Sequence, residues 1–456
     1  MAEALERLRT AAPEDLVALD ESVRSYAGLG LQWNTTAARD VTRADPALIP
    51  LLSMHGNGFV REEALHQLAT VHDGSELPFL LLRLNDWVAP IRSFVRHAVL
   101  ARTVQAYIPH FIRDLALVAR LERAGRADHR AVIESVRGLL LGAAAREPML
   151  RALADRSRLR RRAVLRILAG APDGGAEIAL AALRSDDPSV RRWSLRTAPP
   201  EARREVIEAL ANDPVGAIRA EALAALDPAE ARERWIDALM DRSGAVRDAA
   251  RFHLRAEGLD FAQRYREALA TEDLGRLFGA IEGLGETGDA GDADRVAPLL
   301  DHPAPRVRRA AVKALFRLGG DAYVDTLVDR LRDPGPGVSA QVRRGLRRHA
   351  SALTGQQLWS IFGASRDAHV RRNALSVLAA LPKWEAIGYL LSALADADEA
   401  LRLLALRHVE RWNARYNMSH ATPQPEQLAR AEVALPNVAE PLAGEIRFVI
   451  ESFRSP

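Results

Sequence analysis

The chain has no cysteine, which excludes disulfide frameworks, thiolate metal centres, iron–sulfur clusters and every cysteine nucleophile. Lysine is nearly missing too: of 63 basic residues only Lys313 and Lys383 are not arginine. A GC-rich bacterial genome produces that imbalance, because arginine and alanine codons displace lysine and asparagine. Aromatic residues make up only 5%. No apolar run approaches the ~18–20 residues of a membrane span, since LPFLLLRL (77–84) is cut by Arg83 and followed by Asn85 and Asp86. The opening MAEALERLRTAAPEDL carries acids and no apolar stretch before a cleavage site, so a cytoplasmic protein without membrane insertion is expected. Strand-like alternation is missing as well.

What is present is a repeat. At 456 residues, 48% hydrophobic and 27% charged, the chain can form two or three domains or one long array. A phrase recurs: an acid-containing turn, often with proline, then an aliphatic residue and arginine, then an Ala/Leu-rich segment. It reads DDPSVRRWSLRTA at 186–198, NDPVGAIRAEALAAL at 212–226, DHPAPRVRRAAVKALFRLG at 301–319 and SRDAHVRRNALSVLAAL at 365–381. The arginine of the phrase falls at 61, 92, 160, 191, 219, 247, 308, 343, 371 and 402. Most gaps are near 30 residues. Two are about double, which places degenerate copies near 107–144 and 261–285 and gives twelve units. Each unit has a second apolar-spaced segment, such as AEIALAAL (176–183) or WEAIGYLLSAL (384–394), so each predicts a pair of helices.

These phrases resemble HEAT repeats, most closely the short bacterial variety also found in phycobilin lyase subunits, where D-x-x-x-x-VR-x-x-A-x-x-A-L recurs. The likeness covers roughly 45–415. It implies an all-α fold, an α-solenoid superhelix of about twelve helix pairs, with the second helices lining a concave face. It says little about function, because such repeats serve many roles. The expected organisation is an N-terminal helical cap (1–45), the repeat array (46–415), and a Pro-broken linker (HATPQPEQ, 420–427) leading to a C-terminal helical cap (416–456).

With the aliphatic residue of the phrase as position 0 and 100° per residue, positions 0, 4, 7 and 8 form a core stripe. In the 307 copy these are Val307, Ala311, Ala314 and Leu315. The resemblance implies that the arginine at position 1 meets a turn aspartate of an adjoining unit; Asp86, Asp155, Asp187, Asp213, Asp241, Asp301 and Asp367 are the matching acids. Positions 2 and 6 point to the groove. There stand Arg192 and Arg196, Arg309 and Lys313, Arg344 and Arg348, with Arg161, Arg372 and Arg407 as single members. A solvated arginine face and an anion-binding groove both fit this pattern. Charge is uneven although the net value is only +3: residues 121–172 hold 12 basic against 5 acidic, 301–383 hold 15 against 6, and 257–300 hold 4 against 10.

Catalytic signatures fail. There is no Walker loop, nucleophile elbow, H-E-x-x-H or kinase motif. GLGETGDAG (283–291) reads as an inter-helix turn rather than a nucleotide loop. The single Glu63-x-x-His66 has no companion pair and no His-Glu dipeptide occurs, so no metal or other cofactor is expected. HEAT-like alkylpurine DNA glycosylases offer an enzymatic comparison, but no acid of this chain aligns with a family motif. The reading is therefore a non-enzymatic scaffold whose concave groove binds a protein partner, acidic if the basic face is used. A nucleic-acid-binding solenoid, acting on DNA in its strongest form, is the alternative.

Overall fold

The computed structural model describes residues 8, 11–25, 39–40, 42–43, 45–418 and 420–453. Among them every regular element is helical, arranged as twelve helix pairs from Ile49–Leu52 with Gly58–Leu68 to Lys383–Ser392 with Glu399–Asn413. The chain divides into two compact units, 1–226 and 227–456, each an α-solenoid of six pairs. The two degenerate copies are real helices, Arg130–Leu141 and Leu274–Thr287. The first of these pairs carries an extra helix, because the chain breaks at buried Asp114 into Ile108–Arg113 and Leu115–Leu121. The proposed N-terminal cap lies outside the described residues over 26–38. At the other end, Pro425–Ala434 packs on Lys383–Ser392, and Trp384 Nε1 donates to the Ala421 carbonyl at 2.7 Å.

Local chemistry explains where each second helix begins. The side chains of Asn57, Ser157, Asp187 and Asp398 accept N–H groups of the first helical turn, and proline opens the helices at 188, 305 and 336. Three residues after the cap an aliphatic side chain turns inward: Val60, Val190, Ile218, Val246, Val307, Val338, Val370 and Leu401 are all buried. Val307, Ala311, Ala314 and Leu315 form the inward stripe as phased. Each such aliphatic contributes ~1.5–3 kcal/mol on burial, which no single pair can turn into independent stability.

Arginines at position 1 hold the turns together. Arg191 donates from Nη1 to its own turn at the Ser185 carbonyl (2.8 Å), and from Nε and Nη2 to both oxygens of Asp213 in the next unit (2.6 and 3.0 Å). Arg61 does the same with Asp86 and Arg308 with Asp333, while Arg371 meets Asp396 through Nη2 alone and turns Nε to the Phe362 carbonyl at 3.1 Å. The acceptor stands six residues before its own unit's position 1 and also accepts the N–H two residues on, as Asp213 does from Val215 (2.7 Å). One carboxylate therefore closes its turn and anchors the preceding unit.

This geometry corrects several expectations. Asp301 pairs with Arg330 and not with Arg308, and Asp187 faces Arg158 and Arg162. Arg161, expected in the groove, is only 8% exposed and donates to the Asp155 carbonyl at 2.5 Å. It is the position-1 arginine of its unit, because the Ser157 cap sets the register one residue later than the Leu159–Arg160 pair implies. Arg343 is likewise not position 1. The helix Pro336–Leu346 begins earlier, so buried Ser339 fills that place and donates to the Leu331 carbonyl at 2.8 Å. Finally, 283–287 are helical and not a turn. Glycine serves close packing there: a Cβ on Gly279 would collide with the Met240 carbonyl, and one on Gly285 with Ala314.

Candidate functional site

In the unit 227–456, successive second helices present positions 2, 6 and 10 side by side, because Leu274–Thr287, Pro305–Leu318, Pro336–Leu346, Ala368–Leu378 and Glu399–Asn413 pack in chain order. The row begins with Phe278, Glu282 and Glu286. It continues with Arg309, Lys313 and Arg317, then Arg344 and Arg348, then Arg372, then Arg407 and Arg411. A cleft of about 440 Å³ opens over its first part, where Arg309, Lys313, Arg317, Arg344 and Arg348 meet Phe278, Phe316 and His349. Four of the residues singled out from the sequence thus converge in one cavity. Shifting the register of Pro336–Leu346 by four residues moves a side chain only 40° around the helix, so Arg344 and Arg348 keep their face despite the misplaced Arg343.

Charge along this row is unevenly balanced. Glu282 is buried and takes Lys313 at 2.5 Å, with Arg247 at 3.7 Å and Arg317 at 3.9 Å. Burial would raise the Glu286 carboxyl, but hydrogen bonds and charge from Arg247 and Arg251 hold it below its ordinary range. Past these acids the balance fails. Among the described residues, Arg309, Arg348, Arg372, Arg407 and Arg411 have no carboxylate within salt-bridge distance, and Arg344 reaches only Gln341 at 2.8 Å. The local field is legible at His408, which burial first, then Arg411, Arg347 and Arg407, push down to about 4. Burial and the neighbouring Arg347 and Arg344 also lower Arg343.

The other predicted groove residues lie in the unit 1–226 and differ in kind. Arg192 and Arg196 both meet Glu221, whose carboxyl is lowered chiefly by the Arg192 hydrogen bond. The two share one carboxylate on an exposed face, an arrangement that leaves a single net positive charge and is worth little to stability. Correcting the register at Ser157 puts Arg162 and Arg166 on the groove side in place of Arg161. Neither these nor Phe278 and Glu282 were found by the aliphatic–arginine phrase. Counting from the cap finds them: Ser157 and Asp273 each cap a helix whose positions 2 and 6 are those residues.

Glu63 and His66 are engaged otherwise. Glu63 accepts from Arg39 and Gln67, and His66 packs on Phe94 with ring centroids 4.1 Å apart. Trp193 is half-buried against the core, and Trp235 is buried and stacks on His253 at 4.4 Å. No helix among the described residues is long and apolar enough to cross a membrane.

The HEAT-repeat family matches residues 266–347, which hold nearly the whole cleft. No curated protein matches the chain. Among solved structures, importin beta is similar over 99% of this chain and 73% of its own, at 11% identity and a TM-score of 0.43. Kap121p bound to Ste12p is similar over 97% of this chain at 12% identity and a TM-score of 0.34. A chain of the Pds5–Scc1 complex is similar over 83% of this chain and 62% of its own, at 13% identity and a TM-score of 0.32. This chain spans about 55% of the length of Kap121p. These likenesses concern the helical-repeat fold alone.

Proposed function

We propose that the chain is a non-enzymatic HEAT-repeat scaffold that binds an acidic protein segment across the basic row of residues 227–456. The short D-x-x-x-x-VR phrase keeps the likeness to the short bacterial variety as part of this reading. One observation carries it: Arg309, Arg344, Arg348, Arg372, Arg407 and Arg411 stand together on one face without a carboxylate partner. Elsewhere in the chain arginines are commonly paired, as Arg192, Arg247 and Arg308 are. Like charges held close repel, and their cost is recovered when an anion arrives. The cleft adds apolar surface from Phe278 and Phe316, which suits a side chain and not only a charge. Arg309 and Lys313 lie on one helix and Arg344 and Arg348 on the next, so an extended or helical acidic segment can meet both.

The test is fluorescence anisotropy with a labelled decapeptide of glutamates and with the triple variant R309S/R344S/R348S. Binding is expected to weaken at least tenfold in the variant and to fall as salt rises. Equal affinity for both proteins contradicts the proposal. So does tight, salt-steep binding of a single-stranded oligonucleotide through these residues with no binding of the peptide.

A further inference from the structure

We infer a second binding site in the unit 1–226, separate from the basic row and built for an acidic peptide segment that carries an aliphatic anchor residue. The helix Arg158–Leu168 departs from the usual repeat. Most second helices place a buried aliphatic residue at position 0; Leu274–Thr287 has Arg276 there and buries Leu277 beside it, whereas the Ser157 cap places Arg160 there and leaves Leu159 outside, 57% exposed. Arg160 is accommodated by donating to the Arg113 carbonyl (3.1 Å) and to Asp155 (2.7 Å). Exchanging the two residues in sequence would bury the leucine and free the arginine, as most repeats do. A leucine left exposed where most repeats bury an aliphatic residue marks a place where the fold is not what the residue serves.

What surrounds Leu159 gives the departure a use. It lines a cavity of about 420 Å³ whose floor is Val17, Leu117 and Ala163 and whose rim is Arg120, Arg123, Arg162 and Arg166. Arg162 and Arg166 are partly engaged, with Asp187 at 3.4 Å and Glu122 at 2.9 Å. Arg120 and Arg123 are exposed and have no acidic partner among the described residues. A second cavity of about 490 Å³ shares both arginines and runs on to Arg126, which lies over the exposed Trp87 ring at 3.7 Å. An apolar floor ringed by cations with free donors complements a leucine flanked by carboxylates.

The test uses the full chain and a labelled ten-residue peptide with one leucine between paired glutamates. Two control peptides replace the leucine with alanine or the glutamates with glutamine. All are titrated into the wild type, L159S, R120S/R123S and the R309S/R344S/R348S variant. The leucine peptide is expected to bind the last variant with its affinity for this site intact. L159S and R120S/R123S are each expected to cost at least tenfold there, and both control peptides to bind as weakly. Melting temperatures separate site from scaffold: L159S should melt within a few degrees of the wild type, because more than half of the side chain it removes is exposed. The inference is overturned if L159S lowers the melting temperature and leaves binding unchanged, or if the alanine peptide binds as tightly as the leucine peptide. Failure here with success at the basic row leaves the proposed function standing, and the reverse outcome separates the two equally well.

Discussion

Arginine takes two roles in this chain, and the difference is which donors are already used. At position 1 the guanidinium is spent on its own turn carbonyls and, in Arg61, Arg191 and Arg308, on an aspartate of the next unit as well, as Arg191 is with Ser185 and Asp213. Truncating one member of such a buried pair strands the other, a loss of about 3–5 kcal/mol. R191A should therefore lower the melting temperature sharply, whereas R196S, on an exposed pair, should stay within about 0.5 kcal/mol in urea unfolding. The Asp213 carboxyl sits below its ordinary range: burial would raise it, but Arg191 and the Val215 N–H more than offset that. Its share of stability is present above the ordinary aspartate range and is lost as pH falls through the lowered value. His408 acts in a different window. Its folded value of about 4 lies below the ordinary 6.5, so the unfolded chain binds the proton more readily between those values. Stability should rise with pH from about 4 to 6.5, and H408L should flatten that rise relative to wild type in parallel pH–melting profiles.

At the scale of the helix pair, the unit is modular because its bonds run to the next unit and not across the molecule. Removing residues 175–199, one pair from Gly175–Ala182 through Pro188–Thr197, should leave a helical, monodisperse protein. Removing only 188–199 should expose the core of both neighbours and aggregate in light scattering. Packing between pairs is closest where glycine allows it, so G279A, which drives a Cβ into the Met240 carbonyl, should cost about 1–3 kcal/mol. Fold and pair count were legible in the sequence because caps and core stripes repeat at a fixed offset. Register failed where the aliphatic–arginine phrase and the cap disagree, at Leu159–Arg160 and at Val342–Arg343, since the hydrogen-bonding cap decides where a helix starts. Most of the cleft's cations were legible for the same reason of phase. Phe278 and Glu282 were not, because their helix has Arg276 and Leu277 where the phrase calls for an aliphatic residue and arginine.

For the whole molecule, near-neutral net charge conceals how charge is distributed. With 63 basic and 60 acidic residues the chain could pair nearly every arginine, yet pairing is selective. Acids gather at turns and at 257–300, where they hold Arg247, Arg251, Arg266 and Lys313. Arginines gather without them on the face from Arg309 to Arg411. The central claim is that the first set keeps the fold and the second is kept free for an anion. The most direct measurement is a set of melting curves, with and without saturating glutamate decapeptide, for the wild type, the position-1 variant R191S/R308S/R371S and the face variant R309S/R344S/R348S. A ligand that binds only the folded state raises the melting temperature by mass action. The position-1 variant is expected to melt well below wild type but still to be raised by the peptide. The face variant is expected to melt at or above wild type and not to be raised. A face variant that melts far lower while the peptide still raises it would contradict the claim, because the exposed arginines would then be part of the fold.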